Sequence, residues 1–378
     1  MSTRVRRIVI LFGVVLAVLF FAGALRAVLL PIVDRPDPGS TGQRFAAPAT
    51  ETTGTAAAET TPSVTDASFS FLVAGDPQIG ASGDSARDSK AWATTVDTAH
   101  RWFPDARLLI TLGDQVDSAS SQSQYESFLG APALSALTLR PNIGNHDSSS
   151  SLFRRYFTLP NEASNAGDTP AGGDYWFSEG SVLFMSLNSN NPSVAQHKAF
   201  MERAILTYRQ GSGGAEPLWK IVTFHHSLYS AGPHATSSDI SRFRAELAPV
   251  LSSLGVDAVF AGHDHSYTRS WMMEGTTPVR SGYQTDRKGD SVSYTKPAGG
   301  AEVLYLTAGS ASGSKYYPLR DAHAPYVAVA RQIEEPTVME VEVSAVALTC
   351  TTYRIASGER ATTDEVVDAF TVRRPTGD

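Results

Sequence analysis

Five short apolar runs in this chain end directly in clusters of polar residues, and this repeated pattern restricts the fold more than any other feature of the sequence. Runs of this length, bounded by turn-forming residues, are typical of buried strands. The runs and the clusters that follow them are Phe69–Ala74 before Gly75-Asp76, Arg107–Leu112 before Gly113-Asp114, Thr138–Ile143 before Gly144-Asn145-His146-Asp147, Trp219–Phe224 before His225-His226, and Ala258–Ala261 before Gly262-His263-Asp264-His265. The sequence therefore predicts buried strands that all end in polar loops.

Helical stretches separate the predicted strands. Ala86–Trp102 lies between the first two and stops before Pro104, and helices are also predicted over Val194–Arg209 and Ile240–Leu254. Alternating strands and helices are typical of the α/β class. Sites in open α/β sheets form at the carboxyl ends of the strands, where the loops converge. The five polar clusters therefore predict one shared site.

The rest of the folded region is predicted to add a hairpin, further strands and two long loops. Tyr175–Phe177 and Val182–Leu187 have the pattern of a hairpin, and Asn161–Asp174 and Trp271–Gly300 are interpreted as loops that shape the pocket. The further strands are predicted at Ala301–Thr307, Val338–Val343, Ala347–Arg354 and Phe370–Arg373.

The amino-terminal segment, residues 1–30, has the composition of a signal anchor or signal peptide. Arg4, Arg6 and Arg7 precede an uninterrupted apolar run from Ile8 to Leu25, which is close to the length that spans a bilayer. Basic flanking residues place the amino end in the cytoplasm. We expect a single-pass protein of the cell membrane with its folded domain outside the cytoplasm, or a secreted protein if the chain is cleaved near Ala24.

Residues 31–67 are rich in Pro, Thr and Ala and are predicted to form a disordered linker, so that residues 68–376 form the folded domain. The whole chain has 31 basic against 38 acidic residues, a formal net charge of −7. An acidic chain is a poor general binder of nucleic acid, because phosphate neutralisation needs a basic surface. The single cysteine, Cys350, excludes an intramolecular disulfide and a cysteine-based zinc site.

The polar clusters differ in how strongly each one, taken by itself, indicates a functional site. Asp76-Pro77-Gln78 could be a simple turn, and the segment from Gly113 to Asp117 could be a turn before a capped helix. His225-His226 and His263-x-His265 are harder to explain by packing, since they follow buried strands directly. Imidazole groups in such positions suit divalent transition metals.

Taken in order, the motifs Gly-Asp-x-Gln, Gly-Asp-x-x-Asp, Gly-Asn-His-Asp, His-His and Gly-His-Asp-His resemble those of the calcineurin-like metallophosphoesterase superfamily. The segments from His225 to Tyr229 and from Gly262 to Arg269 are most similar to its purple acid phosphatase branch. The resemblance implies a four-layer α/β/β/α sandwich of two mixed sheets, with the carboxy-terminal strands as late strands of the second sheet. Residues 68–376 would then be the catalytic domain.

The resemblance also implies a dinuclear centre of two divalent ions, with manganese, zinc and ferrous iron all compatible with the ligands. Asp114 would bridge the two ions, and of the adjacent histidines His225 would be the ligand. The implied ligands are Asp76, Asp114 and His265 for the first ion, and Asp114, Asn145, His225 and His263 for the second.

Other residues receive roles from the same resemblance. His146 would act on the substrate with Asp117 holding its ring, while His234 and His226 would contact the substrate. Gln78 stands where the superfamily commonly has a metal-binding histidine, so its amide oxygen would bind the first ion or a water on it. Asp117 stands where purple acid phosphatases have the tyrosine that binds ferric iron, so the ferric–tyrosinate centre is expected to be absent.

The function implied is metal-dependent hydrolysis of phosphate monoesters or diesters by a metal-bridging hydroxide. The expected partners are a small phosphate-ester substrate and the membrane, which the amino-terminal helix would enter, with no nucleic acid. Two alternatives remain at this point: a nuclease or nucleotide pyrophosphatase on the same fold, and a non-catalytic surface binding module.

Overall fold

A computed structural model describes residues 68–286, 291–356 and 358–375, all within one compact unit. The predicted signal anchor and linker lie outside the described residues, so these segments and the domain boundaries drawn from them remain predictions. In the part of the chain that is described, no helix combines the length and the apolar character needed to cross a membrane.

The described part of the chain contains five α-helices and two sheets, with helices and strands numbered separately in chain order. The helices are α1 (Ser85–Trp102), α2 (Gln122–Leu129), α3 (Leu152–Tyr156), α4 (Val194–Gly211) and α5 (Ser238–Ser253). Asp84 begins α1, where its side chain accepts hydrogen bonds from the backbone N–H groups of Ala86 and Arg87. The three helices that the sequence predicts are confirmed as α1, α4 and α5.

The first sheet has eight strands in the order β11-β12-β17-β16-β15-β1-β2-β3 among the described residues. Strands β1, β2 and β3 run parallel, while β1 pairs with β15 in the antiparallel sense. The strands are β1 (Phe69–Ala74), β2 (Leu108–Thr111), β3 (Thr138–Pro141), β11 (Tyr283–Thr285), β12 (Val292–Thr295), β15 (Thr337–Val343), β16 (Ala347–Arg354) and β17 (Val366–Arg373).

The second sheet has nine strands among the described residues, and seven of them follow the order β10-β9-β13-β7-β6-β5-β4. β8 pairs with β13 and with β14, away from that path. The strands are β4 (Tyr175–Glu179), β5 (Val182–Ser186), β6 (Trp219–Thr223), β7 (Ala258–Ala261), β8 (Tyr267–Ser270), β9 (Met272–Glu274), β10 (Thr277–Val279), β13 (Glu302–Thr307) and β14 (Val327–Arg331). The expectation of an α/β fold with two mixed sheets is confirmed.

Aromatic side chains join the two sheets face to face. The ring of Phe71 on β1 meets that of Phe184 on β5 edge to face at 5.2 Å and that of Phe260 on β7 at 6.2 Å. Phe184 also stacks on Phe177 of β4 at 4.7 Å. All four rings are buried. Such edge-to-face pairs stabilise by more than their buried area alone, so this contact fixes how the two sheets lie against each other.

Strand β5 shows why its first four residues, Val182 to Met185, are all apolar. Val182 and Phe184 belong to the core between the sheets, whereas Leu183 and Met185 belong to a second core that includes Phe200 of α4 and Leu247 of α5. Successive strand residues point to opposite faces. A strand with both faces covered is therefore apolar throughout.

The carboxy-terminal strands occupy a different sheet from the one expected. They were expected in the second sheet, but β15, β16 and β17 join the sheet that contains β1, and Phe69 pairs directly with Val343. The apolar pattern of these strands predicts that they are strands, but it carries no information on which sheet edge they pair with. This expectation was wrong.

The stretch Trp271–Gly300, interpreted as a loop, also differs from expectation, since it contains the short strands β9 to β12. Each has only three or four residues, which is too short for a period of two to stand out in the sequence. Tyr283 on β11 and Tyr294 on β12 pair across the strands, with ring centroids 5.2 Å apart.

A carboxylate on β15 makes a testable prediction about stability. Burial, with repulsion from Glu342, raises the pKa of Glu340 to about 7, although a hydrogen bond with Ser70 lowers it. Because this pKa lies above the ordinary value of 4.5, the ionised form destabilises the fold; the cost is complete above the raised pKa and disappears as the pH falls to the ordinary value.

We expect Glu340→Gln to raise the free energy of unfolding by roughly 1 kcal/mol at about pH 8, and to have a much smaller effect near pH 4.5, where the Glu340 carboxyl of the folded protein is protonated. Urea titrations at both pH values measure this, with exposed Glu359→Gln as the control. An equal gain at both values would contradict the assignment.

Candidate metal centre

The loops after β1, β2, β3, β6 and β7 converge on one place where strand ends of both sheets meet. Seven non-glycine residues of the described chain have positive φ, and five of them are predicted site residues. These five are Asp76 (φ 40°), Gln78 (φ 35°), Asp114 (φ 48°), His263 (φ 74°) and His265 (φ 46°). Non-glycine residues with positive φ carry strain that the surrounding structure must offset, and such strain clusters at functional sites.

The two carboxylates at the centre, Asp76 and Asp114, are buried and held by backbone donors of other loops. The N–H of His263 donates to both Asp76 oxygens at 3.0 Å. The N–H of His146 donates to Oδ1 of Asp114 at 2.9 Å. Each carboxylate therefore ties its own loop to the loop of a predicted histidine.

His225 lies between these carboxylates with its ring fixed by the backbone. Its Nδ1 is 2.9 Å from the carbonyl oxygen of Leu112, an acceptor, so Nδ1 carries the proton. Its Nε2 faces the side-chain oxygen Oδ1 of Asn145 at 2.8 Å, Nδ1 of His263 at 3.1 Å and Oδ2 of Asp114 at 3.3 Å. A backbone carbonyl on one ring nitrogen is the usual support of a metal-binding imidazole.

These contacts test whether the residues suit a metal ion. With Nδ1 of His225 as the donor in its neutral form, Nε2 presents a lone pair to two oxygens and a nitrogen. Four lone pairs repel each other unless a cation lies among them. Asp76, Asp114 and His225 also bring one ligand atom each to within 4.8 Å of one another. The donor set fits a divalent ion of the kind that binds imidazole and carboxylate.

His265 and Gln78 lie beside Asp76. Nε2 of His265 is 3.5 Å from Oδ1 of Asp76, and its Nδ1 is 2.8 Å from the carbonyl oxygen of Lys315, so Nε2 faces the carboxylate. The amide nitrogen of Gln78 donates to Asp117 at 3.1 Å, which turns Oε1 the other way. That oxygen is buried and has no hydrogen-bond partner in the described structure. A buried unpaired acceptor is costly, and a cation beside Asp76 would satisfy it.

The pKa values show how strongly the carboxylates attract positive charge. Burial raises the pKa of Asp114, but His225 and His146 lower it by more, to about 2. Burial lowers the pKa of His225, whereas Asp114 and Asp76 raise it, and the balance is about 9. Burial lowers the pKa of His263, and its neighbours His225, His226, His234 and His265 lower it further. Asp114 is thus ionised and favours positive charge beside it, while His263 is neutral.

His146 is held in a different way from the one expected. Its Nδ1 bonds to the backbone carbonyl of Asp117 at 2.7 Å, while the Asp117 carboxylate lies 3.5 Å away. That carboxylate instead accepts from the amide of Gln78. The main chain therefore orients the His146 ring, because the carbonyl is at hydrogen-bond distance and the carboxylate is not. The expected carboxylate–histidine pair is corrected to a carbonyl–histidine pair.

His234 lies at the same pocket, supported by a residue that the sequence analysis gave no role. Its Nδ1 is 2.7 Å from Oδ1 of buried Asp264, which also accepts its backbone N–H at 3.1 Å. The rings of His234 and His263 are 4.2 Å apart, and Tyr317 packs against both His234 and His265. Asp264 lies inside the Gly-His-Asp-His motif, so its position in the sequence could have indicated that it belongs to the site. Tyr317 lies in no motif, so no such indication existed for it.

Arg244 of α5 holds the loop that carries His234. Its guanidinium donates to the carbonyl oxygens of Leu228 and Ala235, which flank the loop. It also lies over the rings of Tyr229 and Tyr326, at 5.4 and 5.1 Å. One charged group thus closes both ends of the loop, with cation–π contacts holding it in place.

His226 points away from the carboxylates. Its Nδ1 is 2.9 Å from the hydroxyl of Ser189, which also accepts the His226 backbone N–H at 3.1 Å. Burial and the neighbouring His225 lower the pKa of His226 to about 3, so the ring is neutral. The structure thus brings the predicted ligands together around Asp76 and Asp114, and places His146, His234 and His226 around them.

Glycines allow the loops to approach the carboxylates this closely. A Cβ on Gly144 would lie 2.0 Å from Oδ1 of Asp114, and one on Gly262 would lie 2.4 Å from Oδ2 of Asp76. Real Cβ atoms do not tolerate such distances, so any side chain at either position would displace a carboxylate.

The comparisons with known proteins agree with this geometry. The family model described as calcineurin-like phosphoesterase matches residues 69–267, more than half of the chain. The chain belongs to this family. The resemblance drawn from the motifs is thereby confirmed, and the phosphoesterase family implies divalent metal ions at the centre built by Asp76, Asp114 and His225.

Relatives of this chain include the uncharacterized protein Rv2577 of Mycobacterium tuberculosis, 23% identical over 54% of the chain and 39% of the relative. The chain thus spans about two fifths of the length of this relative. Purple acid phosphatase 17 of Arabidopsis thaliana is 43% identical over 12% of the chain and 13% of its own length. Among solved structures, purple acid phosphatase PPD1 from yellow lupin seeds shares the fold, with a TM-score of 0.61, 14% identity, and coverage of 82% of this chain and 54% of that one.

The glycine contacts make a prediction about metal binding. We expect Gly144→Ala to displace Asp114 and to reduce the bound metal well below that of the unaltered protein, because the new Cβ overlaps the carboxylate. Metal content of the purified protein, measured by mass spectrometry, checks this. Gly211→Ala is the matched control, since a Cβ there meets no atom within 4 Å. Full metal content in folded Gly144→Ala would show that Asp114 is not a ligand.

Proposed function

We propose that this protein hydrolyses esters of phosphoric acid with small alcohols, using two divalent metal ions. The observation that carries the proposal is the environment of His225 Nε2, which faces Asn145, His263 and Asp114 within 3.3 Å while its ring is fixed by a backbone carbonyl. A buried convergence of lone-pair donors needs positive charge among them, and a shared divalent ion would supply it.

Two groups of side chains would hold the ions. Asp76, His265 and the unpaired amide oxygen of Gln78 would hold the first. Asn145, His225 and His263 would hold the second. Asp114 would belong to both groups, since Asp76, Asp114 and His225 bring one ligand atom each to within 4.8 Å of one another and Oδ2 of Asp114 faces His225 at 3.3 Å. A shared carboxylate reduces the repulsion between two nearby cations.

When bound, the two ions would supply a water of lowered pKa and positive charge for the phosphoryl oxygens. The protein's own side chains would orient the ester. His146 and His234 are alike here: each ring is held at Nδ1 by an oxygen acceptor, and each side chain is 34% exposed. Nε2 of each ring is thus the atom left for the substrate. In the protonated form it donates to a phosphoryl or leaving-group oxygen.

The pocket that these groups line is small and polar. Gln78, Asp114, Asn145, His146, His234, His263, His265 and Tyr317 enclose about 140 Å³. A single phosphoryl group with its contacts fills such a volume, so the larger part of any substrate would lie outside it. The acidic balance of the chain disfavours a long nucleic acid as that substrate.

The test of metal-dependent hydrolysis is substitution of the shared carboxylate. We expect Asp114→Asn to lose metal and to lower kcat for nitrophenyl phosphate by roughly 10³-fold or more, because both ions lose a ligand. Chelation of the unaltered protein should remove activity, and a divalent ion should restore it. Exposed Asp105→Asn is the control. Hydrolysis that persists after exhaustive chelation would refute the metal mechanism, and a metal-loaded protein that hydrolyses no ester would favour a binding role.

A second test separates proton transfer from metal binding. We expect His146→Ala to lower kcat for alkyl phosphates by roughly 10²-fold while metal content is retained, with a smaller loss for nitrophenyl phosphate, whose leaving group needs little protonation. Asp117→Ala should have a mild effect, less than about tenfold, because the backbone carbonyl still holds His146. Loss of metal in His146→Ala would make this histidine a ligand and overturn its role.

A further inference from the structure

A second cavity of about 220 Å³ adjoins the metal centre, on the side of His226. One wall is the loop after β5, with Ser189, Asn190 and Pro192. The other wall is a face of α5. We call this cavity the α5 cleft; the residues lining it are Ser189, Asn190, Pro192, His226, Asp239, Ile240, Arg242, Phe243 and Glu246.

His226 joins the α5 cleft to the metal centre. It lines the cleft, and its ring lies 4.7 Å from the ring of His263 and 5.1 Å from that of His225. Ser189, in the opposite wall, fixes the ring through Nδ1. Among the described residues, none forms a hydrogen bond with Nε2 of His226. This atom is therefore available to a molecule that reaches from the ions into the cleft.

The α5 cleft has an apolar floor and a charged rim. Ile240 and Phe243 are buried, while Asp239, Arg242 and Glu246 are exposed at helical spacing along the same face of α5. Residues three, four and seven apart lie on one side of a helix. Two carboxylates and one guanidinium leave the rim with an excess of acceptors and negative charge.

The wall opposite α5 is rigid. The amide of Asn190 donates to the carbonyl oxygens of Ile143 and Gly144 at 3.2 and 3.3 Å, and to Oδ1 of Asn188 at 2.9 Å. Asn190 therefore ties the cleft wall to the loop that carries Asn145 and His146. A molecule seated in the α5 cleft is in this way held at a fixed position relative to the metal ligands.

We propose that the α5 cleft binds the alcohol part of the phosphate ester, and that it favours a compact ring with an apolar face and hydroxyl or amino groups at its edge, the build of a sugar or a nucleoside. This inference rests on the proposed hydrolysis. The ring face lies on Ile240 and Phe243, and its hydroxyl or amino groups donate to Asp239 and Glu246. An alcohol part carrying a second phosphate is disfavoured, because it meets these carboxylates.

The test compares two esters that differ only in the alcohol, glucose phosphate and methyl phosphate, on the full manganese-loaded protein. The measured quantity is the ratio of their kcat/KM values. We expect Glu246→Trp to lower this ratio about tenfold, because an indole over the cleft excludes the sugar while methyl phosphate needs only the phosphoryl pocket. Ala245→Trp is the matched control, since Ala245 is exposed on the same helix but does not line the cleft.

A second variant removes negative charge without adding bulk. The double substitution Asp239→Asn with Glu246→Gln should raise KM for glucose phosphate about fivefold with little change in kcat, because neutral amides are weaker acceptors than carboxylates and these hydrogen bonds act on binding of the alcohol alone. It should also improve the relative kcat/KM of a glucose bisphosphate. A ratio that stays the same in both variants would overturn the α5 cleft as the alcohol site while leaving hydrolysis intact. A loaded protein that hydrolyses neither ester would overturn hydrolysis, and this inference with it.

Discussion

The rest of the structure depends on compensating the charge of two buried carboxylates, Asp76 and Asp114. Anions in a protein interior are costly unless opposite charge or donors surround them. Here backbone N–H groups of His263 and His146 and the ring of His225 supply part of that compensation. Divalent ions, which the family implies, would supply the remainder. Three of the five loops, those after β1, β2 and β7, contain non-glycine residues in the left-handed conformation, which is strain that the surrounding structure must offset.

The sheets make this convergence possible. The loops of the site follow strands β1, β2 and β3 of one sheet and strands β6 and β7 of the other. The contacts of Phe71 with Phe184 and Phe260 hold the two sheets in register. Ligands on both sides of Asp114 thus come from two layers joined by a rigid aromatic core. Asn190 and Arg244 extend that rigidity outward, the first by bonding the Gly144 loop and the second by closing the loop of His234.

The sequence was sufficient to predict what depends on local pattern. The apolar runs predicted β1, β2, β6 and β7, and the motif order predicted which side chains meet, including His225 rather than His226 beside the carboxylates. Partners distant in sequence were not predictable. Strand β15 pairs with β1 instead of the second sheet, and the main chain of Asp117 holds His146 instead of its carboxylate. Ser189 and Asp264 support His226 and His234 through hydrogen bonds to the ring and the backbone N–H of each histidine, for which no spacing rule exists.

The pairing of β1 with β15 bears on how the chain becomes active. Phe69 meets Val343, although about 270 residues separate them. A contact between residues so far apart in sequence is slow to form, because the intervening chain must first be closed into a loop. The family motifs end near residue 267, yet the strand that leads to Asp76 is still an open sheet edge at that point of synthesis. An open edge pairs readily with other chains. The carboxy-terminal strands therefore cover the open edge of β1 as well as completing its sheet.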